Sequence, residues 1–146
     1  MTQEDKALLL KDLYARLPYD TVCQVEFKSD GRYESKNMIL SGIFKDEAYF
    51  TIENGSVYSN DYKPYLFPFS SITEEQKKEI SKRYNLHTYG LCIEITNHSE
   101  GYWDDDSSCN LQDYLWLIDW LNKNHFDYRG LIEKGLAIDA TGLNIY

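Results

Sequence analysis

Four side chains of types that do chemistry lie within five positions of the stretch DWLNKNHFDYRGL, residues 119–131: His125, Asp127, Tyr128 and Arg129. A catalytic His–Asp arrangement would need a nucleophile or a metal close in space, and the sequence nominates neither. Each residue also has a structural role. Asp127 can cap a short turn, His125 suits the C-terminal end of a helix dipole, and Arg129 can pair with a carboxylate. We therefore predict that this cluster shapes the backbone and holds no catalytic residue.

The other patterns that suggest metal or cofactor chemistry are weak. His87, Cys92 and His98 could supply three ligands, but they lie on and around a predicted strand, where alternate side chains point to opposite faces. The acidic run at 104–106 does not begin an EF-hand loop, because a leucine stands where the bidentate glutamate belongs. A looser cation site at that run stays open. The sequence has no phosphate loop or nucleophile elbow, and we expect no metal and no cofactor.

Net charge and cysteine content limit the kinds of partner and the cellular compartment that we expect. The chain has 15 basic and 24 acidic side chains and a formal net charge of −9, which repels phosphate backbones and anionic lipid. We expect no direct nucleic-acid partner and no membrane. The three cysteines are far apart and odd in number, which favours a reducing compartment. The acidic start and the lack of any run of ~20 apolar residues predict a cytoplasmic protein.

The elements that position these residues begin with a helix. Thr2 and Asp5 have the spacing of an N-cap residue and an acidic N3 residue. Pro18 ends the helix. The apolar residues that repeat at helical spacing are Leu10, Leu13, Tyr14 and Leu17.

Several short strands follow this helix. Residues 21–28 alternate between apolar and polar side chains and end at a Ser-Asp-Gly turn. Residues 32–45 predict a second strand that is interrupted near Gly42. Two β-prone runs around Asn54 and Gly55 predict a hairpin with a type I′ turn.

The middle of the chain combines a connection, a helix and a strand. Residues 63–79 hold two of the three prolines, which predicts an extended connection rather than a central strand. Thr73 and Gln76 form the capping-box pattern of a helix that runs to about Tyr84. Residues 90–96 alternate again and predict another strand.

The last helix is predicted to start after Asn110 and to be apolar on two faces. Its inward stripe is Leu111, Leu115, Ile118 and Leu121. Two tryptophans fall on the opposite, polar side of this helix, and a third precedes it. Exposed aromatic residues with arginine are typical of binding hot spots. The predicted partner-binding residues are Trp103, Trp116, Trp120 and Arg129. Residues 136–146 follow as a strand or a pinned tail.

Three segments of the chain resemble short proteins, without an assigned activity, of gut Bacteroides-type bacteria and their phages. These segments are LLLKDLYARLPY (8–19), KPYLFPFSSITEEQKKE (63–79) and DWLNKNHFDYRGLIEKGLAIDATGLNIY (119–146). The last segment is the most specific. The resemblance implies a phage, a prophage or a mobile element as the setting, and it provides no catalytic residues to carry over.

These observations predict one α+β domain over residues 1–146. Its architecture is a small curved antiparallel sheet or partly open barrel of four to six strands, flanked by N-terminal and C-terminal helices. The function expected is that of a non-enzymatic cytoplasmic accessory protein, encoded by a phage or mobile element, that binds an unknown protein partner. Two alternatives stay open. One is an acidic, DNA-mimic-like inhibitor of a host nucleic-acid-binding factor, and the other is a small enzyme with a site near His125, Asp127 and Arg129.

Overall fold

Residues 1–84 and 111–146 are described by a computed structural model, and within them lie three helices and six strands. The helices are α1 (Gln3–Arg16), α2 (Glu74–Tyr84) and α3 (Leu111–Lys123). The strands are β1 (Val22–Ser29), β2 (Arg32–Phe44), β3 (Glu47–Ile52), β4 (Gly55–Ser59), β5 (Asp61–Leu66) and β6 (Ile138–Asp139). The predicted strand at 90–96 and the loop at 97–110 lie outside the described residues. No helix in the described ranges is long and apolar enough to cross a membrane.

The strands form one mixed sheet in the order β4-β3-β2-β1-β5-β6. Strands β1 to β5 pair antiparallel, and the short β6 adds to β5 in parallel. The sheet curls strongly enough to bring β4 into contact with β1. The Ser59 hydroxyl donates to the Glu26 carbonyl across that contact. The sheet is not closed into a barrel. The α+β prediction with flanking helices is confirmed, and β6 makes the sheet mixed rather than purely antiparallel.

Local signals place the helix starts correctly. Thr2 and Asp5 form a complete capping box at α1, in which the Asp5 amide donates to the Thr2 hydroxyl at 3.1 Å. Thr73 and Gln76 do the same at α2, with distances of 2.9 Å and 3.2 Å. Helix α1 ends at Arg16, and Pro18 lies in the 3-10 turn that follows.

The hairpins are correct in position, but one turn type is wrong. The β1–β2 hairpin turns at Asp30 and Gly31, whose φ angles of 47° and 80° have the signs that a type I′ turn requires. The β3–β4 hairpin pairs Ile52 with Gly55. Its loop residues, Glu53 and Asn54, both have negative φ, so the predicted type I′ turn is absent there. The interruption predicted near Gly42 is confirmed as a register shift between Leu40 and Gly42.

The first part of the segment with two prolines is a strand, contrary to the prediction for 63–79, whereas Pro68 lies beyond it and precedes a 3-10 turn. Residues Asp61–Leu66 form β5, which lies between β1 and β6 inside the sheet. Pro64 lies opposite Cys23 of β1, whereas pairing with β6 begins only at Tyr65. One side of the strand therefore has no sheet partner at Pro64 and requires no amide hydrogen from it. The predicted C-terminal strand or pinned tail is confirmed by β6.

Two apolar clusters hold these elements together. The first lies between the concave face of the sheet, α1 and the segment after α3, and the second lies under α3 and α2. Buried members of the first cluster include Leu9, Leu13, Cys23, Val25, Leu40, Phe50, Leu66 and Leu131. Buried members of the second are Phe69, Ile80, Leu117, Trp120, Leu121 and Phe126. The 119–131 segment passes between the two clusters.

Candidate functional site

A buried ion cluster, formed by Asp12, Arg16 and Arg129, lies where α1 meets the segment after α3. Asp12 and Arg16 are completely buried and one helical turn apart. The Arg16 Nε and Nη2 atoms donate to the two carboxylate oxygens of Asp12 at 2.6 Å and 3.1 Å. Nη2 also donates to the Phe126 carbonyl at 2.7 Å. Arg16 thus ties α1 to a segment 110 positions later in the chain.

Arg129 adds a second positive charge to this cluster. Its Nε lies 3.3 Å from Asp12 Oδ1, but the N–H does not point at that oxygen, so the contact is an ion pair without a hydrogen bond. The guanidinium also lies over the Tyr128 ring, 4.8 Å from the centroid. The prediction that Arg129 pairs with a carboxylate is confirmed. Two guanidinium groups share one buried carboxylate here, so the cluster carries an excess positive charge.

His125 ends α3 in the left-handed conformation. Its φ is 58°, and the Phe126 amide donates to the Leu121 carbonyl at 2.9 Å, as in a Schellman motif. A residue other than glycine costs roughly 1–2 kcal/mol in this conformation. The imidazole is held in place by the Tyr146 ring, which stacks on it at 3.7 Å between centroids.

The charge state of His125 differs from the prediction. Burial and, secondarily, the positive charge of Arg16 lower the pKa of His125 from 6.5 to about 4. The imidazole is therefore neutral near pH 7. His125 lies at the C-terminal end of the helix, as predicted, but its neutral imidazole gains no charge interaction with the helix dipole there.

Asp127 has the backbone role that the sequence predicts. Its Oδ1 accepts from the Leu131 amide at 2.9 Å, and its Oδ2 accepts from the Ile132 amide at 2.8 Å. Both carboxylate oxygens are thus committed to the turn that follows. No hydrogen bond joins His125 to Asp127 among the described residues, so the geometry does not assemble a His–Asp pair.

Five buried side-chain polar atoms near this junction have no hydrogen-bond partner in residues 1–84 and 111–146. They are Arg16 Nη1, Trp120 Nε1, Asn122 Oδ1, His125 Nδ1 and Arg129 Nε. Each such atom costs free energy, because burial removes its bonds to water. Within the same ranges, no group of three or more His, Cys, Asp and Glu side chains could hold a metal ion.

The tryptophans occupy different environments from those predicted. Trp120 is only 5% exposed and stacks on Phe126, with 5.7 Å between centroids. It therefore lacks the exposure on which its partner-binding prediction depends. Trp116 is half-buried at the edge of the same cluster. Trp103 lies outside the described residues.

The stripe of α3 that was expected to point inward is only partly buried: Leu121 is buried as predicted, but Leu115 and Ile118 face solvent. Leu115 is 56% exposed and Ile118 is 38% exposed, whereas Leu117 and Trp120 are buried. The buried face is rotated by roughly 100°, about one residue step, from the predicted one. The aromatic stack of Trp120 on Phe126 explains the difference, because aromatic rings bury more area than Leu or Ile side chains.

A cleft of about 960 Å³ opens beside β2, between this strand and the end of β3. Phe27, Met38 and Ile52 give it an apolar part, and Lys36 and Glu53 give it charges of both signs. It forms where the pairing of β2 with β3 stops, since the last pair is Ile39 with Thr51. No candidate site residue from the sequence lines this cleft.

Of the cysteines and the acidic run considered in the sequence, only Cys23 lies within the described residues. Cys23 is fully buried in the first cluster, and burial raises the pKa of its thiol, so it is an unreactive core residue. Cys92, with His87 and His98, falls outside the described ranges, and so does the acidic run at 104–106.

Sequence reasoning missed the buried pair Asp12 and Arg16. A usable signal was present, because the two opposite charges are four residues apart and lie on the same helix face as Leu9 and Leu13. Comparison of the chain with protein-family models, with curated proteins and with solved structures found no significant match.

Proposed function

We propose that this protein acts without catalysis, by binding another protein through the solvent face of α3. This face is defined by Leu115 and Ile118, which lie one helical turn apart. The observation that carries the proposal is their exposure, 56% and 38%, on a helix whose opposite face is firmly packed. An apolar pair at this spacing matches the way that helices dock in the grooves of partner proteins.

Two partly exposed residues outside this face, Trp116 and Arg129, also support a role in binding. Trp116 lies at the rim of the second apolar cluster, half-buried, and Arg129 presents part of its guanidinium beside Tyr128. Tryptophan, tyrosine and arginine are the residues most enriched in binding hot spots. We keep Trp116 and Arg129 as candidate partner-binding residues beside the α3 face and omit Trp120, because its ring is enclosed by the core.

The bonds of the 119–131 segment support a non-catalytic role. Both carboxylate oxygens of Asp127 accept hydrogen bonds from backbone amides, and Arg129 is paired with Asp12. With a pKa of about 4, His125 is a weak base and cannot supply a proton near pH 7, and Asp127 is held in place by two backbone amides, so neither group is matched to acid–base work. The resemblance to phage-associated bacterial proteins leads us to propose the bacterial cytoplasm as the location, with a phage or mobile element as the source.

Site-specific photocrosslinking tests the proposal. A photoreactive amino acid at position 115 should crosslink a single partner in a cell that naturally expresses the protein, whereas the same amino acid at the exposed Lys11 of α1 should not. The double variant Leu115→Ser, Ile118→Ser should keep its melting temperature and lose co-purification of that partner. Equal crosslinking at both positions, or equal capture by the double variant, would contradict the proposal.

A further inference from the structure

Strand β2 has an unpaired edge over half of its length. Of its 13 residues, those from Arg32 to Ile39 pair with β1, and those from Ile39 to Phe44 pair with β3. The half from Arg32 to Met38 therefore has a free side within the described part of the chain. An unpaired strand edge offers a row of backbone donors and acceptors to another strand.

The hairpin geometry shows which backbone groups face outward. Ser29 and Arg32 close the two-residue turn and form a hydrogen-bonded pair, so alternate residues from Arg32 onward direct their backbone groups at β1. Leu40 follows the same alternation, because its amide donates to the Thr21 carbonyl, just before β1, at 2.9 Å. The intervening residues point the other way. The outward backbone groups therefore belong to Tyr33, Ser35 and Asn37.

The charges along this edge complement themselves. Glu34 and Lys36 lie on the same face of β2, on either side of Ser35, and pair with each other at 3.0 Å, yet their side chains remain 40% and 61% exposed. In an antiparallel pair of two β2 edges centred on Ser35, Glu34 of one copy lies opposite Lys36 of the other, and the reverse holds by symmetry. These are non-hydrogen-bonded positions, where facing side chains are closest.

Neighbouring registers lack this match. Centring the pair on Lys36 would set lysine against lysine, and centring it on Glu34 would set glutamate against glutamate, both of which are unfavourable. The Ser35 register also gives a long ladder, because three outward residues on each copy form hydrogen-bonded pairs. Charged residues on an edge usually prevent strand pairing. Here the alternation of sign blocks the wrong registers and permits one.

The cleft beside β2 provides room for the ends of such a ladder. In the Ser35 register, Arg32 of one copy lies opposite Met38 of the other, and Met38 lines the cleft together with Glu53. Arg32 is exposed and can extend into the cleft towards that carboxylate. The open ends of the ladder would therefore add two further pairs of opposite charge.

We propose that two copies of the chain associate by antiparallel pairing of their β2 edges about Ser35, extending the sheet across both molecules. This inference is independent of the α3 surface, because no residue is shared between the two. A single strand pair buries little area, so the dimer dissociates on dilution and forms at high protein concentration.

Charge-swap variants provide the decisive experiment. Sedimentation equilibrium should give a mass that rises with concentration from 17.2 kDa towards twice that value. Glu34→Lys alone and Lys36→Glu alone should each remain monomeric, because like charges then face each other. An equimolar mixture of the two single variants should again form a dimer, and so should the double variant Glu34→Lys, Lys36→Glu.

Hydrogen exchange identifies the edge. The amides of Tyr33, Ser35 and Asn37 should become more protected as the wild-type concentration rises, and this change should vanish in Glu34→Lys. Circular dichroism controls for folding of every variant. A monomer at all concentrations, a dimer that Glu34→Lys leaves intact, or a mixture that stays monomeric would overturn the proposal. Capture of the edge by a different protein, without self-association, would do so as well.

Discussion

Removal of the Asp12 carboxylate should be among the most destabilising single changes in the protein. The side chain is completely buried, it accepts two hydrogen bonds from Arg16, and it lies 3.3 Å from Arg129. Asp12→Ala leaves the buried guanidinium of Arg16, and the partly exposed one of Arg129, without this counter-charge. Breaking a buried pair in this way costs about 3–5 kcal/mol, a large part of the ~5–15 kcal/mol that stabilises an ordinary domain.

Urea unfolding followed by tryptophan fluorescence measures this loss. With a denaturant dependence of roughly 2 kcal/mol per molar urea, the midpoint should fall by about 2 M. The matched control is Glu74→Gln, which removes a carboxylate from the exposed pair with Lys77 at 2.8 Å and should change the midpoint little.

A double variant tests whether the unbalanced charge causes the loss of stability. The double variant Asp12→Leu, Arg16→Met removes the buried charges of the helix together and should be more stable than Asp12→Ala. If Asp12→Ala behaves like the Glu74 control, or if the double variant is less stable than the single one, the charge-balance reasoning is refuted.

Three further outcomes are expected from the same unfolding assay. Asp127→Ala should cost about 2–4 kcal/mol, because two backbone amides lose a charged acceptor; Asp127→Asn keeps one acceptor oxygen, so an equal loss in both would contradict this. Protonation of His125 opposes folding, so wild-type stability should be full above pH 6.5 and decline towards pH 4 by up to about 1.4 kcal/mol per pH unit. His125→Asn, which tolerates positive φ, should lack this component, and identical pH profiles would exclude it. Trp120→Ala should cost about 3–5 kcal/mol and Leu115→Ala less than ~1 kcal/mol, and the opposite order would restore the predicted helix orientation.

Local chemistry was readable from the sequence. The capping boxes at Thr2 and Thr73 are confirmed because their partners lie three residues away in the chain. The role of Asp127 is confirmed for the same reason, since the amides that it accepts from are four and five residues later. The alternating strand at 21–28 and the break near Gly42 also follow from near neighbours.

The errors concern contacts that reach beyond a single helix or strand. Propensity alone places Pro64 outside a sheet, and only the short reach of β6 explains why the proline is accommodated. The orientation of α3 depends on Phe126, which stacks on Trp120 only after the chain has turned back. The burial of Asp12 depends on Arg129, more than a hundred residues away. Periodicity within one helix cannot report a partner that another segment supplies.

The covering of the β5 edge by β6 and Tyr146 has a consequence for biosynthesis. Strand β6 covers the outer edge of β5, and the Tyr146 hydroxyl donates to the Tyr65 carbonyl at 2.7 Å. During translation the β5 edge emerges from the ribosome long before these last residues do. Nascent chains therefore display an uncovered β5 edge until these residues emerge, and stalled or prematurely terminated products would be recognised by chaperones and proteases.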